Sequence, residues 1–305
     1  MRPTGSGRSV RNDSGGIEDV TATSSAGARR RDVTDWRSRA HAPYRRRVSS
    51  FRSFTPDGID ALLPVSLRLH REWRSALETL SYGGALPPLP LAMRAALRDE
   101  WDLDIVHETD GIDPLTSPAF GILYARVRSE QVLRAVSART NLTLAGTTVA
   151  VVGDGRVSEA LTTSLRVLGA SVVRVTDSAV VALAARLDGL RAIGLNEAAD
   201  REVPVHLTLL TGEGHGILPI STLAGIVADA SPGSTLTAGL STSPSPRPFV
   251  RRAGEAFVVE MPSPLPEPDA VPCAPQRRLL DALISLLVLT AQGADDARFA
   301  REVTP

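Results

Sequence analysis

Thr148-Val149-Ala150-Val151-Val152-Gly153-Asp154-Gly155-Arg156-Val157-Ser158 is the stretch on which the fold of this chain turns. Val149 to Val152 is an unbroken apolar run, mostly β-branched, closed by Gly153. Such a run predicts a short strand covered on both faces, as in a parallel sheet, rather than one with a wet side. Ser158 to Leu168 then has helical spacing. Strand, Gly-x-Gly turn and helix in that order leave the first amides of the helix pointing at whatever lies over the turn, and a helix start favours an anion there. Gly153 permits the tight turn and Gly155 a close backbone approach. Ser158 stands where a third glycine is usual, and a small residue still allows the helix to pack closely on the strand.

Working downstream, Ser171–Val175 reads as a second strand and Ala179–Leu187 as a helix stopped at Asp188-Gly189. Val205–Leu210 and Thr235–Ala238 read as further strands, with a helix over about Ser221–Ala228 between them. Strands alternating with helices of about ten residues imply βαβ units. The predicted class is therefore α/β: a Rossmann-like, doubly wound parallel sheet. A proline-rich linker follows over 262–275, and then a helix over 276–291 that is apolar nearly all round. Such a helix must be buried, either on the sheet or against a second chain.

Upstream, Arg126–Thr140 is an amphipathic helix, and residues 55–125 read as a small helical region, with helices over Asp60–Leu80 and Leu91–Trp101. The organisation expected is a tail over 1–54, the helical region over 55–125, a cofactor-binding domain over 126–261, the linker, and a terminal segment over 276–305. Residues 1–52 carry twelve Arg against five acids and few periodic apolar residues, which predicts a disordered, solvated tail. Its arginine clusters could meet an acidic partner, although no nucleic-acid partner is expected. No stretch is long and apolar enough for a membrane helix, and no apolar signal core stands at the start.

Composition narrows the chemistry further. The chain has 34 Lys+Arg against 34 Asp+Glu, and every one of those cations is arginine. Without lysine there is no Schiff base, no lysine general base and no P-loop lysine. The single cysteine, Cys273, excludes an intramolecular disulfide and a thiolate zinc site, and suits a reducing cytoplasm. No histidine spacing suggests a metal site. The acidic cluster Asp102, Asp104, His107, Glu108, Asp110 and Asp113 reads as a solvated connector, with cation binding as the sharper alternative. His206, inside a predicted strand, reads as a core or cofactor-rim residue.

From Asn141 through the Gly-x-Gly turn, Leu168-Gly169-Ala170 and Asp188-Gly189 to Arg191, and again at Ala119-Phe120-Gly121-Ile122-Leu123-Tyr124, the sequence resembles the cofactor domain of S-adenosylhomocysteine hydrolase. The likeness covers roughly residues 115–245. It implies bound NAD, which that family uses to oxidise the 3′-hydroxyl of its substrate and to reduce the ketone again after homocysteine is eliminated or added. Matched position by position, the catalytic Lys and Asp of the family fall on Ala119 and Gly121. The Asn that follows falls on Ile122, and the ribose-binding Glu falls on Thr176, with Asp177 one place later. The Asn of a Thr-Gly-Asn turn falls on Glu213, and the His of an Ala-Gly-His segment on Leu240. The carboxy-terminal Lys-Tyr element and most of the substrate domain have no counterpart.

The resemblance and the turn together assign cofactor binding to Gly153, Asp154, Gly155, Arg156, Val157, Ser158, Thr176, Asp177, Thr211, Gly212, Glu213 and Gly239. Asp177 lies 24 residues beyond Gly153, near the ~20 expected of a ribose-binding acid, and a carboxylate there repels a 2′-phosphate, so NAD rather than NADP is expected. Arg174 should point away from that ribose by strand alternation. Glu213 is expected beside the nicotinamide amide, a bare carboxylate unless Arg156 or another arginine pairs with it. His215, in a Gly-rich loop at a strand end, is the candidate acid–base residue. Three functions follow from these residues: an NAD-binding relative without hydrolase activity, with a regulatory or degenerate-subunit role; an NAD-dependent oxidoreductase on another small molecule; or a structural remnant that binds no nucleotide. A homo- or hetero-oligomer through the helix over 276–291 is a further expectation.

Overall fold

The computed structural model describes residues 62–73, 78–200, 204–214, 224–232, 240–245, 247–267 and 272–304. Every described residue belongs to one compact unit, within Val48–Pro305. The tail expected over 1–54, the strand expected over Thr235–Ala238, and both Gly239 and His215 lie outside the described residues.

The first elements among the described residues are helix α1 (Pro64–Trp73), strand β1 (Glu78–Tyr82), helix α2 (Leu91–Trp101) and strand β2 (Leu103–His107). β1 and β2 pair in parallel, from Glu78 opposite Leu103 to Tyr82 opposite His107. The expectation of a purely helical region over 55–125, with one helix reaching Leu80, is corrected here. Leu80 and Tyr82 point inward while Thr79 is exposed, and that period-two alternation is too short to stand out beside the leucines at helical spacing that precede it. The long helix α3 (Pro118–Thr140) follows, started by Ser117, whose hydroxyl accepts from Phe120 N–H, and by Pro118 in its first turn.

The central sheet is built from β3 (Thr148–Val152), β4 (Ser171–Val175), β5 (Arg191–Ile193), β6 (Leu207–Leu210), β7 (Gly225–Asp229), β8 (Ser243–Pro244), β9 (Val250–Ala253) and β10 (Ala256–Val259). Between them run α4 (Arg156–Val167), α5 (Ala179–Leu187) and α6 (Leu195–Ala199); α7 (Ala274–Ala291) and α8 (Asp296–Val303) close the chain. The strand order is β5-β4-β3-β6-β7-β10-β9-β8, with the first six strands mutually parallel. Counted in chain order from β3, those six run 3-2-1-4-5-6, the order of the dinucleotide-binding Rossmann fold, which reverses direction between β3 and β6. The fold expected from the turn at Gly153 is thus the fold observed.

β7 occupies residues expected to be helical. Ile226 and Val227 favour a strand, and buried pairing between β6 and β10 overrides the helix-favouring alanines beside them. The β9–β10 hairpin is likewise an addition to the sequence reading. Alternation divides the sheet: Val149, Val151, Val172, Leu207 and Leu209 join the core with α3, α4 and α7. Ala150, Val152, Val173, Val175 and Leu210 face the other way, against Leu195 and Ala198 of α6. Helices therefore lie on both faces.

α7 occupies the centre of the first core, packed on α1, α3 and α8, with Leu279, Leu280, Leu283, Ile284, Leu287 and Val288 all buried. Its apolar surface is consumed within the chain, which corrects the expectation that this helix pairs with another copy. Asp281 on α7 also caps α1, accepting from Val65 N–H (3.2 Å) and Ser66 N–H (2.8 Å) as well as from the Ser66 hydroxyl. Asp296, at the start of α8, does the same for α3 through Ala119 N–H (3.0 Å) and the Ser117 hydroxyl. Each supplies an acceptor to amides that have none within their own helix. Among the described residues no helix is long and apolar enough to cross a membrane.

Candidate functional site

Parallel sheets of this order leave a crevice at the carboxyl ends of the strands where the order reverses. Here that place lies between β3 and β6, and the turns following both strands meet across it. Gly153 has φ +130°, in a region that L side chains rarely adopt, and a Cβ there would collide with Thr211 Oγ1. Thr211, buried at the end of β6, donates its hydroxyl to Val152 O (2.9 Å), which locks the two turns together. Asp154 N–H donates to Glu213 O (3.1 Å), extending the lock further along both turns.

The start of α4 then shows what the turn holds. Val157 N–H and Ser158 N–H donate one to each oxygen of the Glu213 carboxylate, both at 2.9 Å. A Cβ on Gly155 would lie 2.5 Å from Glu213 Cδ, so the hollow that a glycine leaves is filled by this side chain. Glu213 is therefore not the bare carboxylate expected at the nicotinamide end. Its charge is compensated by two amides and the positive end of a helix, with no arginine needed.

Beneath the turn lies a second charge. Arg174 on β4 is 3% exposed and donates to Gly153 O (2.7 Å), Ser158 Oγ (3.0 Å) and Thr162 Oγ1 (3.0 Å). Burial pulls its guanidinium below its ordinary pKa, while the negative charges of Asp154, Glu159 and Glu213 oppose that shift. It points under α4, toward Ser158 and Thr162. Ser158, in place of the third glycine, uses its hydroxyl on Gly155 O (2.6 Å) while accepting from Arg174. The substitution and the buried arginine form one hydrogen-bonded unit.

On the other side, α3 brings Tyr124 and Arg128. The Tyr124 hydroxyl is buried and has no hydrogen-bond partner among the described residues. Burial raises its pKa to about 12, with Arg128 lowering and Glu213 raising it, so the ring oxygen lies within electrostatic reach of both. Arg128, completely buried, donates to Ala230 O (3.0 Å), Ser231 O (3.1 Å) and Pro262 O (2.6 Å), clamping the backbone just beyond β7 and β10. Asp154 Oδ1 and Arg174 Nε are also buried without a partner among the described residues. Arg156, at the first position of α4, is exposed, and its guanidinium fills the space above Gly121, where a Cβ would collide with it.

The sequence-derived residues thus fall into three groups. Gly153, Asp154, Gly155, Val157 and Ser158 gather with Thr211, Gly212 and Glu213 around one hollow, and Arg156 borders it. Thr176 and Asp177 stand at the end of β4 but are engaged locally. Thr176 Oγ1 accepts from Ser178 N–H, and Asp177 Oδ1 accepts from Leu195 N–H at the start of α6, both at 2.9 Å. Gly239 and His215 lie outside the described residues. His206 is corrected: it is exposed at the beginning of β6, where its Nδ1 accepts from Thr148 N–H (3.1 Å), at the end of the sheet opposite the crevice.

Of the acidic cluster, Asp104 pairs with Arg94 and Arg98 and Asp113 caps the turn at Leu115, while Asp102, His107, Glu108 and Asp110 are exposed. Among the described residues no group of acids, histidines and cysteines could hold a metal. Tyr124 and Arg128 were not singled out from sequence as site residues. Tyr124 lies in a segment already noted for its family resemblance, whereas nothing in a helical pattern marks a buried arginine.

No protein-family model matches the chain, and no curated protein matches it in sequence. Solved structures similar to it include a dipicolinate synthase component from Bacillus halodurans, at 19% identity and TM-score 0.41 over 68% of this chain and 66% of that one. The matched part is just under two thirds of that neighbour. Its counterpart, the dipicolinate synthase from Bacillus subtilis, matches at 15% identity and TM-score 0.43, over 75% of this chain and 70% of that one. An L-alanine dehydrogenase matches at 16% and 0.43, over 76% and 71%. Likenesses this distant carry no argument, and the strand order of the chain itself carries the assignment of the fold.

Proposed function

We propose that this chain is a dinucleotide-binding Rossmann protein that takes NAD in the crevice between β3 and β6 and lacks S-adenosylhomocysteine hydrolase activity. The observation that supports it is the anion already seated on Val157 N–H and Ser158 N–H. It marks the start of α4 as an anion-binding position at the topological switch point of the sheet, where this fold receives a diphosphate. The diphosphate does not fit while Glu213 remains in place, because the same two amides and the same hollow at Gly155 are used. With that side chain withdrawn, Gly153, Asp154, Gly155, Val157 and Ser158 would hold the diphosphate. Asp177 would face the adenine ribose, which disfavours a 2′-phosphate. Bound NAD would supply hydride-transfer capacity; the chain supplies the cradle and the buried charge of Arg174 below it.

Loss of hydrolase activity follows from composition. Ala119 and Gly121 stand at the positions of the family's lysine and aspartate, and no lysine exists elsewhere to accept the proton. Formation of adenosine from S-adenosylhomocysteine by the purified protein would refute this part. For NAD, a thermal scan of the full chain is decisive. Ligand at a hundred times its Kd adds about 2.7 kcal/mol, which raises Tm by roughly 5–10 °C for a domain of this size. No shift at millimolar NAD, together with no nucleotide in the purified protein, would overturn the proposal. The same contacts of Glu213 favour a second reading, in which the carboxylate is a permanent helix cap and the fold binds no nucleotide. An oxidoreductase using His215 remains a third proposal, to be tested by reduction of bound NAD with candidate alcohols in the wild type and His215→Ala.

A further inference from the structure

We infer that Glu213 is an internal competitor for the ligand's diphosphate, so that the strap at residues 211–214 must release its carboxylate before a dinucleotide can seat. The inference rests on the dinucleotide reading above and concerns the regulation of that same site. One carboxylate takes both amides that a diphosphate would need, one oxygen to each, and its carbon atoms fill the hollow over Gly155. Charge, donor set and volume all coincide, which a cap chosen only for helix stability does not require.

Comparison with the other capping acids in this chain separates a removable plug from a fixed one. Asp281 is held by the Ser66 hydroxyl in addition to two amides, and Asp296 by the Ser117 hydroxyl in addition to one. The Glu213 carboxylate has the two amides alone among the described residues. Gly212 (φ +71°) and Gly214 (φ +86°) flank it, so the two adjoining residues can each cross between left- and right-handed conformations without a Cβ penalty. The side chain can therefore leave while Thr211 keeps its bond to Val152 O.

A buried polar atom near the Glu213 carboxylate also lacks a partner among the described residues. The Tyr124 hydroxyl is buried and unpartnered among the described residues, and it feels the charge of Glu213. Orphaned polar atoms are costly, and a ligand larger than the carboxylate, with several acceptor and donor groups, offers partners that Glu213 does not.

The test is calorimetric titration of the full-length protein with NAD, comparing wild type with Glu213→Gln, which keeps the volume and removes the charge, and Glu213→Ala, which empties the hollow. Both variants are expected to bind NAD at least about tenfold more tightly than wild type. If wild type binds NAD and neither variant binds it more tightly, Glu213 does not compete and the inference falls while the dinucleotide reading stands. If none of the three proteins binds NAD, the reading falls and takes the inference with it. Hydrogen exchange on the wild type covers the case of poorly folded variants: the amides of 212–214 should exchange faster when NAD is saturating, because the strap is released, while the Thr211 amide stays bonded to Val152 O. Unchanged or slower exchange there, with NAD bound, overturns the inference.

Discussion

Arg128→Ala removes a fully buried cation whose donors close three backbone carbonyls, at Ala230, Ser231 and Pro262, between 2.6 and 3.1 Å. A fourth contact, to Gln131 Oε1 at 3.4 Å, is too long to count for much. Hydrogen bonds to a charged group contribute about 1.5–3 kcal/mol each, so the three carry roughly 5–9 kcal/mol gross. Against this stands the desolvation of the guanidinium, several kcal/mol, which the alanine variant no longer incurs. Burial is the leading cause of its lowered pKa, and Tyr124 and Asp229 offset it only in part. The net loss expected is about 3 kcal/mol, or roughly 6–12 °C in Tm for a domain of this size.

Urea unfolding followed by tryptophan fluorescence, with the m-value unchanged, measures it directly. Arg128→Lys should recover only part of the loss, since an ammonium cannot reproduce three divergent donors on a planar fork. A loss below about 1 kcal/mol for the alanine variant, or complete rescue by lysine, would show that the clamp at the ends of β7 and β10 is not held as described.

Three further outcomes follow from the geometry. Gly153→Ala should destabilise the protein by about 2–4 kcal/mol and loosen the Thr211 lock, because it adds backbone strain to a steric collision; denaturant unfolding that matches wild type would contradict this. Asp281→Ala should cost about 2–4 kcal/mol by leaving two amides of α1 without their acceptor, while the Ser66 hydroxyl keeps the backbone carbonyl of residue 281 (2.7 Å); Asp281→Asn should recover some of the loss, and equal stability of all three proteins would exclude a structural role for the carboxylate. His70, stacked on Trp101 with ring centroids 5.7 Å apart, has its pKa lowered from 6.5, chiefly by burial, with Asp102 opposing. The unfolded chain therefore binds that proton first. Stability is complete above about pH 6.5 and declines as pH falls toward the folded-state value. His70→Gln should flatten unfolding free energy between about pH 7 and pH 5, and an identical slope in the variant would refute the assignment.

Much of the sheet was legible because its determinants are local. A β-branched run, a glycine turn and a helical repeat specify β3, the turn and α4 through backbone sterics and burial on both faces, and the same logic located β4, α5 and α7. Local rules failed where pairing with distant strands decided the outcome. β1 and β7 are five residues each, too short for their pattern to outweigh neighbouring helix formers, and they become strands because β2, and β6 with β10, satisfy their backbones.

Motif spacing likewise brings Gly153–Ser158 and Thr211–Glu213 to adjoining strand ends, so their proximity was legible. Their relations were not. Glu213 bonds across 55 and 56 residues of sequence, Arg174 satisfies the serine that replaced a glycine, and Arg128 reaches backbone more than a hundred residues away. Sequence alone determined that an anion-seeking helix start stands at the reversal of a parallel sheet, because backbone amides and strand burial depend on neighbours in the chain. Only the tertiary structure decided which anion sits there, because a carboxylate and a pair of amides recognise each other through space.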